Sequence, residues 1–123
     1  MLVATARHAA DLLAPLFAGE EREKLAVVHL DAQRMLLGID DYPGGHDSMD
    51  LPTRAIFASA LRRDSAGLVI AHNHPSGDPT PSRADLDATR SLAETAAALD
   101  IILHDHLIFA GGDCRSFREL GLL

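Results

Sequence analysis

The sequence predicts an α/β domain in which a mixed β-sheet is sandwiched by helices. Short apolar runs, partly β-branched, alternate with longer segments whose apolar residues recur at helical spacing. Their order along the chain is helix, strand pair, helix, strand, helix, strand and strand, which is typical of helices packed on a mixed sheet. The 123 residues are 47% hydrophobic, so we expect one domain with its own core over residues 1–123.

The first half of the chain is predicted to form two helices around a β-hairpin. The opening helix has apolar residues at helical spacing and is bent at Pro15. Two apolar strands follow, and then a stretch rich in Gly, Pro, Asp and His that has no periodicity. We expect a helix over residues 5–17, strands over 24–30 and 35–39, a loop over 41–50 and a helix from about residue 51.

The second half is predicted to place one long helix between two buried strands. The strands are apolar and rich in β-branched residues, and a Gly-Gly turn leads into a short last strand. The final residues resemble a short helix that closes the core. We expect strands over residues 67–71 and 101–109, a helix over 82–99, a strand around residues 114–116 and a helix over 116–123.

Two histidines at the end of the buried strand over residues 67–71 are the strongest functional signal. Side chains two residues apart on a strand point to the same side, so His72 and His74 can aim at one point. Three prolines and a glycine then lead into a helix whose first turn carries Asp85. Two imidazoles and one carboxylate, with a fourth position open to water, suit a catalytic zinc ion. The sequence therefore predicts an open Zn²⁺ site.

Structural interpretations of the same residues compete with the metal site. Single histidines are usually structural or surface residues, and Ser82 followed by Asp85 resembles a capping box at the start of a helix. His104 and His106 share one face of a predicted strand and form a rival pair, although no third ligand follows at a suitable spacing. Asp105 or His106 can also orient the imidazole of a metal ligand. The alternative is that these two residues only form hydrogen bonds in the core or at the sheet edge.

The spacing His-x-His, seven residues, Ser, two residues, Asp resembles the JAMM signature of the JAB/MPN metalloproteases. The longer string HNHPSGDPTPS, residues 72–82, resembles the RadC-like branch of that group, and the resemblance covers roughly residues 5–123. It implies the JAB/MPN fold, a cytidine-deaminase-like sheet with the metal at the end of a central strand. A true zinc deaminase needs His-x-Glu and Pro-Cys-x-x-Cys, which a chain with Cys114 alone cannot supply.

The resemblance also assigns catalytic roles. An Arg-Glu pair precedes the first strand of RadC-like sequences, and Arg22 and Glu23 stand at the matching place, which makes Glu23 the candidate general base. Spacing alone leaves Glu20 and Glu21 as alternatives in the same charged run. In JAMM enzymes the serine at the position of Ser82 donates a hydrogen bond to the oxyanion. We expect this role and helix capping to exclude each other.

The implied activity is hydrolysis of peptide or isopeptide bonds near the C-termini of ubiquitin-like tails, which bind as extended strands at a sheet edge. RadC-like sequences traditionally carry the label of DNA repair proteins, so a role through nucleic acid or a repair complex is one alternative. A non-catalytic JAB interaction module is another. The net charge of −7 and the lack of a helix-hairpin-helix segment in the first twenty residues argue against direct nucleic-acid binding.

Cysteine content and the absence of targeting signals predict the compartment. One cysteine excludes an internal disulfide and fits a reducing environment. The sequence shows no signal peptide, no run of about 18 apolar residues and no lipidation motif. We therefore expect a cytoplasmic protein without a membrane segment, while the sequence leaves its oligomeric state open.

Overall fold

The structure is a computed structural model that describes residues 1–44 and 51–123. Within these residues, three helices and one five-stranded mixed sheet form a small α/β domain, which confirms the predicted fold class. No helix in the described ranges is long and apolar enough to cross a membrane. The elements in chain order are α1 (Ala6–Phe17), β1 (Lys24–Leu30), β2 (Leu36–Pro43), α2 (Thr53–Arg62), β3 (Gly67–Asn73), α3 (Arg83–Ala98), β4 (Ile102–Ala110) and β5 (Asp113–Ser116).

Strand β3 is the centre of the sheet, whose strand order is β2-β1-β3-β4-β5. It pairs antiparallel with β1 and parallel with β4. All seven of its residues are buried, because helices cover both faces of the sheet. The end of β3 therefore opens in the middle of one edge of the domain, where neighbouring strands and loops can contribute side chains to a common site.

Two hydrophobic cores lie on opposite faces of the sheet. On one face α1 packs its Leu13 against Val28 of β1. On the other face α2 and α3 pack against Val27 and Ile70. Because side chains alternate along a strand, His72 lies two residues after Ile70 and points to the face that α3 covers.

Strand β2 is longer than predicted. The loop expected over residues 41–50 is wrong over residues 41–43, which continue β2 as far as Pro43. The antiparallel partner β1 explains the difference, because Leu25 pairs with Tyr42 and Lys24 pairs with Pro43. This long-range pairing overrides the local Asp-Asp-Tyr-Pro composition. Residues 45–50 of the predicted loop lie outside the described residues.

The helix predicted over residues 116–123 is wrong. Ser116 ends β5, and the chain continues in turns around the buried side chain of Phe117. The buried carboxylate of Asp105 accepts hydrogen bonds from the Ser116 hydroxyl at 2.5 Å and from the Arg118 N–H at 3.1 Å. The hydrogen bonds to Asp105 thus fix these residues in turns at the edge of β4.

The prediction that His104 and His106 share a strand face is also wrong. The neighbouring β3 residues Leu68 and Val69 pair with residues on either side of His104, which is therefore an extra residue in β4. Such a bulge changes the faces to which the following side chains point. His104 Nδ1 lies 2.9 Å from the Arg34 guanidinium, whereas His106 faces α3, so the two imidazoles cannot form a metal pair.

A buried polar network ties β1 to β2 and to the segment before β3. His29 is fully buried, and its ring nitrogens lie 2.9 Å from Ser65 Oγ and 3.0 Å from Asp40 Oδ2. Burial lowers the pKa of His29, although the neighbouring Asp40 carboxylate partly opposes this shift. The folded state therefore favours the neutral imidazole, which donates to Asp40 and accepts from Ser65.

The network predicts that acid destabilises the metal-free protein. The unfolded state binds a proton at His29 with a pKa near 6.5, and the folded state binds it less readily. The stability that His29 contributes is therefore lost as pH falls below about 6.5, by at most about 1.4 kcal/mol per pH unit for one proton. We expect His29→Gln to reduce the dependence of unfolding free energy on pH between about pH 7 and 5, measured by urea denaturation with chelator.

Exposed His8 at the start of α1 offers the matched control for this measurement. His8→Gln should leave the pH dependence of the wild type intact. An equal pH dependence in His29→Gln and the wild type would contradict the assignment of this proton to His29.

Candidate metal site

The described structure brings His72, His74 and Asp85 together. His72 lies at the end of β3 with His74 just beyond it, and Asp85 lies in the first turn of α3. The carboxylate oxygens of Asp85 lie 3.3 Å from His72 Nε2 and 3.1 Å from His74 Nε2. The two Nε2 atoms are 2.9 Å apart, and the three residues can offer ligand atoms to one metal ion. This is the grouping that the sequence predicted.

Asp85 is prepared to act as an anionic ligand. Its residue is 1% exposed, and burial by itself raises the pKa of a carboxyl group. In the metal-free site, hydrogen bonds from a protonated His72 Nε2 and from Ser82 outweigh burial and hold the pKa of Asp85 well below its usual range. The Ser82 N–H donates to the carboxylate at 2.9 Å, and the Asp85 N–H donates to Ser82 Oγ at 3.0 Å. This capping box fixes Asp85 at the start of α3.

A chain of hydrogen bonds sets the tautomer of His72. The Thr89 hydroxyl donates to the Asp85 carbonyl oxygen at 2.7 Å, so it accepts from His106 Nδ1–H at 2.6 Å. Burial lowers the pKa of His106 well below its ordinary value, which keeps this imidazole neutral. His106 Nε2 therefore accepts from His72 Nδ1–H, 2.6 Å away. When His72 Nε2 loses its proton, its lone pair therefore faces Asp85.

A hydrogen bond also fixes which ring nitrogen of His74 carries the proton. Its Nδ1 lies 2.8 Å from the carbonyl oxygen of Asp78, which can only accept, so Nδ1 carries the proton and Nε2 carries the lone pair. With neutral imidazoles, two Nε2 lone pairs and the Asp85 carboxylate converge with no N–H or O–H between them. Such a group of acceptors is unfavourable by itself and favours a shared cation. The donor set therefore fits a divalent metal ion such as zinc.

This hydrogen-bond chain predicts how Thr89 affects metal affinity. Thr89→Val keeps the size of the side chain but removes the acceptor for His106 Nδ1–H, so the orientation of His72 is no longer imposed. We expect the affinity for zinc to fall about 10–100-fold, as when other residues that orient a ligand histidine are changed. Competition with a chromogenic chelator measures the affinity. Thr89→Ser retains the hydroxyl and should restore it, whereas equal losses in both variants would contradict the chain.

Asn73 holds the segment before β1 against the end of β3. Its side-chain oxygen accepts from the Lys24 N–H at 2.8 Å, and its side-chain amide donates to the Arg22 carbonyl at 2.9 Å. The sequence interpretation missed this residue, although a buried amide between two candidate ligands was a usable signal. The two hydrogen bonds bracket Glu23 and fix its backbone beside the candidate site.

Strand register places Glu23 on the same side of the sheet as the candidate ligands. Leu25 of β1 pairs with His72, and continuing this register places Glu23 opposite His74. The Gly44 N–H donates to the Glu23 carbonyl at 2.9 Å, so the β1–β2 ladder continues through this residue. Glu23 lies two residues before Leu25 and thus shares its face. Glu23, the general base expected from the family resemblance, therefore lies next to the candidate ligand His74 in the backbone register.

The two alternative glutamates are placed differently. Glu20 lies 3.7 Å from the Lys24 ammonium and accepts a hydrogen bond from the Arg22 N–H at 3.3 Å. It also lines a cleft beside α1, which His74 borders as well. Glu21 is exposed and precedes the bracketed segment. The register thus favours Glu23 among the three residues that spacing alone could not separate.

Ser82 can cap the helix and donate a hydrogen bond at the same time. As the N-cap of α3, Ser82 Oγ accepts from the Asp85 N–H, which uses only a lone pair of the hydroxyl. In the part of the chain that the structure describes, the hydroxyl proton has no acceptor, and Ser82 is exposed. Capping therefore leaves the hydroxyl proton free, and the role of Ser82 at an oxyanion stays a prediction.

The fold and the site together define an α/β domain of the JAB type with a possible metal centre at the end of its central strand. The candidate site residues lie at one strand end, at one helix start and in the segment before β1. The model of the RadC-like JAB domain matches residues 3–122, and the chain belongs to this family.

Similar proteins agree with this assignment. A UPF0758 protein of Salinibacter ruber is 39% identical over 126 residues, covering 100% of this chain and 53% of the relative. A UPF0758 protein of Moorella thermoacetica is 40% identical, covering 95% of this chain and 52% of the relative. The UPF0758 protein tlr1707 of Thermosynechococcus vestitus is 41% identical, with coverages of 91% and 45%. The chain spans about half the length of these relatives.

Proposed function

We propose that this chain is a zinc-dependent hydrolase of peptide or isopeptide bonds. The observation that carries the proposal is the convergence of two imidazole nitrogens and one carboxylate, those of His72, His74 and Asp85, at an open strand end. Three protein ligands with a free fourth position are the arrangement of catalytic rather than structural zinc. When bound, zinc activates a water molecule and polarises a carbonyl group.

The residues of the chain supply the proton transfers and the remaining hydrogen bonds. Glu23, on the face of the ligands, takes a proton from the attacking water and returns it to the leaving amine. The Ser82 hydroxyl donates a hydrogen bond to the carbonyl oxygen of the substrate as negative charge develops there. His106 holds the imidazole of His72 in the tautomer that ligation needs. Hydrogen-bond directions support the roles proposed for His106 and Ser82, and the strand register supports the role proposed for Glu23.

The proposed substrate is an extended peptide or a ubiquitin-like tail. Strand β2 is an outer strand of the sheet, and its end pairs with Lys24, next to Glu23. An extended segment added to this edge would lie three strand spacings, about 14 Å, from β3. The net charge of −7 supports a protein rather than a nucleic acid as the substrate.

A cleavage assay with removable metal tests this proposal. Zinc-loaded protein is incubated with a panel of peptides, linear ubiquitin-like fusions and isopeptide-linked conjugates, and new termini are identified by mass spectrometry. We expect one class of amide bond to be cut, with cleavage lost after chelation and restored by zinc. Cleavage that persists after chelation would overturn the proposal. Fully loaded protein that cuts nothing would favour a metal-bearing interaction module.

A further inference from the structure

We propose that a groove at the end of the domain opposite the metal site binds a cationic, amphipathic segment of another protein. The groove has a volume of about 440 Å³ and lies between the ends of α2 and α3 and the β1–β2 turn. It borders Ser65 and Ala66, directly before β3, whereas the candidate metal ligands lie at and beyond the end of this strand. Seven strand residues separate the two sites by roughly 20 Å.

The groove is bordered by apolar side chains that the fold itself does not bury. Leu61 at the end of α2 is 59% exposed, and Leu99 after α3 is 39% exposed. Ala60 and Ile101 form buried apolar surface between them. Neighbouring exposed leucines around a concavity are more often a binding surface than isolated exposed leucines are.

The rim of the groove is negative. Asp31, Asp64 and Asp100 line it, and in residues 1–44 and 51–123 none of these carboxylates lies within ion-pair distance of a Lys, Arg or His. The two arginines at the end of α2 contact other parts of the domain and do not neutralise this rim. Arg62 lines a different cleft, beside β2, and Arg63 binds Asp40 at 2.8 Å.

Two helix dipoles add to this negative potential. α2 and α3 both end at the groove, and the C-terminal end of a helix carries a partial negative charge. Asp64 and Asp100 follow the two helix ends with φ of 55° and 59°. Glycine or asparagine is preferred in this conformation, and a carboxylate at a helix C-terminus is electrostatically unfavourable. The fold therefore places a carboxylate after the C-terminal end of each of these two helices, where its negative charge lowers the stability of the domain.

Charge and shape together select the partner. Leucine-sized side chains can fill the groove between Leu61 and Leu99, while Lys or Arg side chains meet the three rim carboxylates and the helix ends. A nucleic acid would be repelled by this rim. The distance from the metal site allows the partner to bind without blocking it, so the inference is independent of the proposed hydrolase function.

The test uses a fluorescein-labelled helical peptide of leucine and lysine, about 14 residues long with an apolar face, and its leucine–glutamate counterpart. Fluorescence anisotropy should show binding of the Leu–Lys peptide that weakens as salt is raised from about 50 to 300 mM. Asp64→Asn/Asp100→Asn and Leu61→Ser/Leu99→Ser should each weaken binding about tenfold or more. The matched controls Glu119→Gln and Leu120→Ser, exposed near the C-terminus, should bind like the wild type.

The Asp64→Asn/Asp100→Asn variant should also change the melting temperature, in the direction opposite to its effect on peptide affinity. Asparagine suits the left-handed backbone and removes a charge from each helix end, so the melting temperature should rise while peptide binding falls. Groove variants that bind like the wild type would overturn the proposal, as would equal binding of the Leu–Glu peptide. Concentration-dependent dimers that Leu61→Ser/Leu99→Ser abolishes would assign the face to a second copy instead.

Discussion

Asp85→Asn is expected to abolish stoichiometric zinc binding. The wild type should hold about one zinc ion per chain. The amide retains an oxygen that can accept from the Ser82 N–H, so the cap of α3 survives while the charged ligand is lost. We expect affinity to fall by more than about 100-fold, beyond the loss for residues that only orient a ligand. Elemental analysis of dialysed protein measures the metal content.

Two variants separate ligand loss from unfolding. Asp85→Ala removes the ligand and the capping oxygen together, and it should lose metal and also melt at a lower temperature. Asp87→Ala, on an exposed position of the same helix, should retain about one zinc per chain. Full zinc content in folded Asp85→Asn would show that the zinc ion is held by residues other than Asp85.

Glu23→Gln is expected to reduce kcat about 10²–10⁴-fold and to leave zinc content unchanged. Glutamine matches glutamate in size and still accepts hydrogen bonds, but it cannot take a proton from water. The loss should therefore appear in kcat rather than in KM. Steady-state kinetics on the substrate found in the cleavage panel, together with elemental analysis, measures both quantities.

Glu20→Gln is the matched control, because Glu20 pairs with the Lys24 ammonium and lies outside the strand register that places Glu23 opposite His74. It should retain activity within about twofold, since surface ion pairs contribute little to stability. A large loss in Glu20→Gln with an active Glu23→Gln would move the general base to the neighbouring glutamate and contradict the register argument.

The local parts of the candidate site were predictable from the sequence. His72 and His74 alternate on a strand, and Asp85 lies at a fixed position in a capping box. Each arrangement needs only the geometry of one element, which short-range patterns specify. The proline-rich loop between them forces the chain to turn back. The three candidate ligands could therefore be named before the fold was known.

The parts that sequence patterns missed depend on contacts between distant segments. Tyr42 extends β2 because it pairs with Leu25, and His104 changes face because β4 has one residue more than β3 in their pairing. Neither effect leaves a local signal, since strand pairing is a property of two segments together. The turn after Ser116 likewise depends on Asp105, which lies 11 residues earlier in the chain.

The sequence by itself determined the fold class and the chemistry of the candidate ligands, because periodicity and residue type act within single elements. Only the tertiary structure decided how these ligands are supported. It turned Thr89 and His106 into a hydrogen-bond chain that orients His72, and it used Asn73 to hold Glu23 beside the strand end. Hydrogen-bond direction needs donor and acceptor in contact, and packing of separate elements creates that contact.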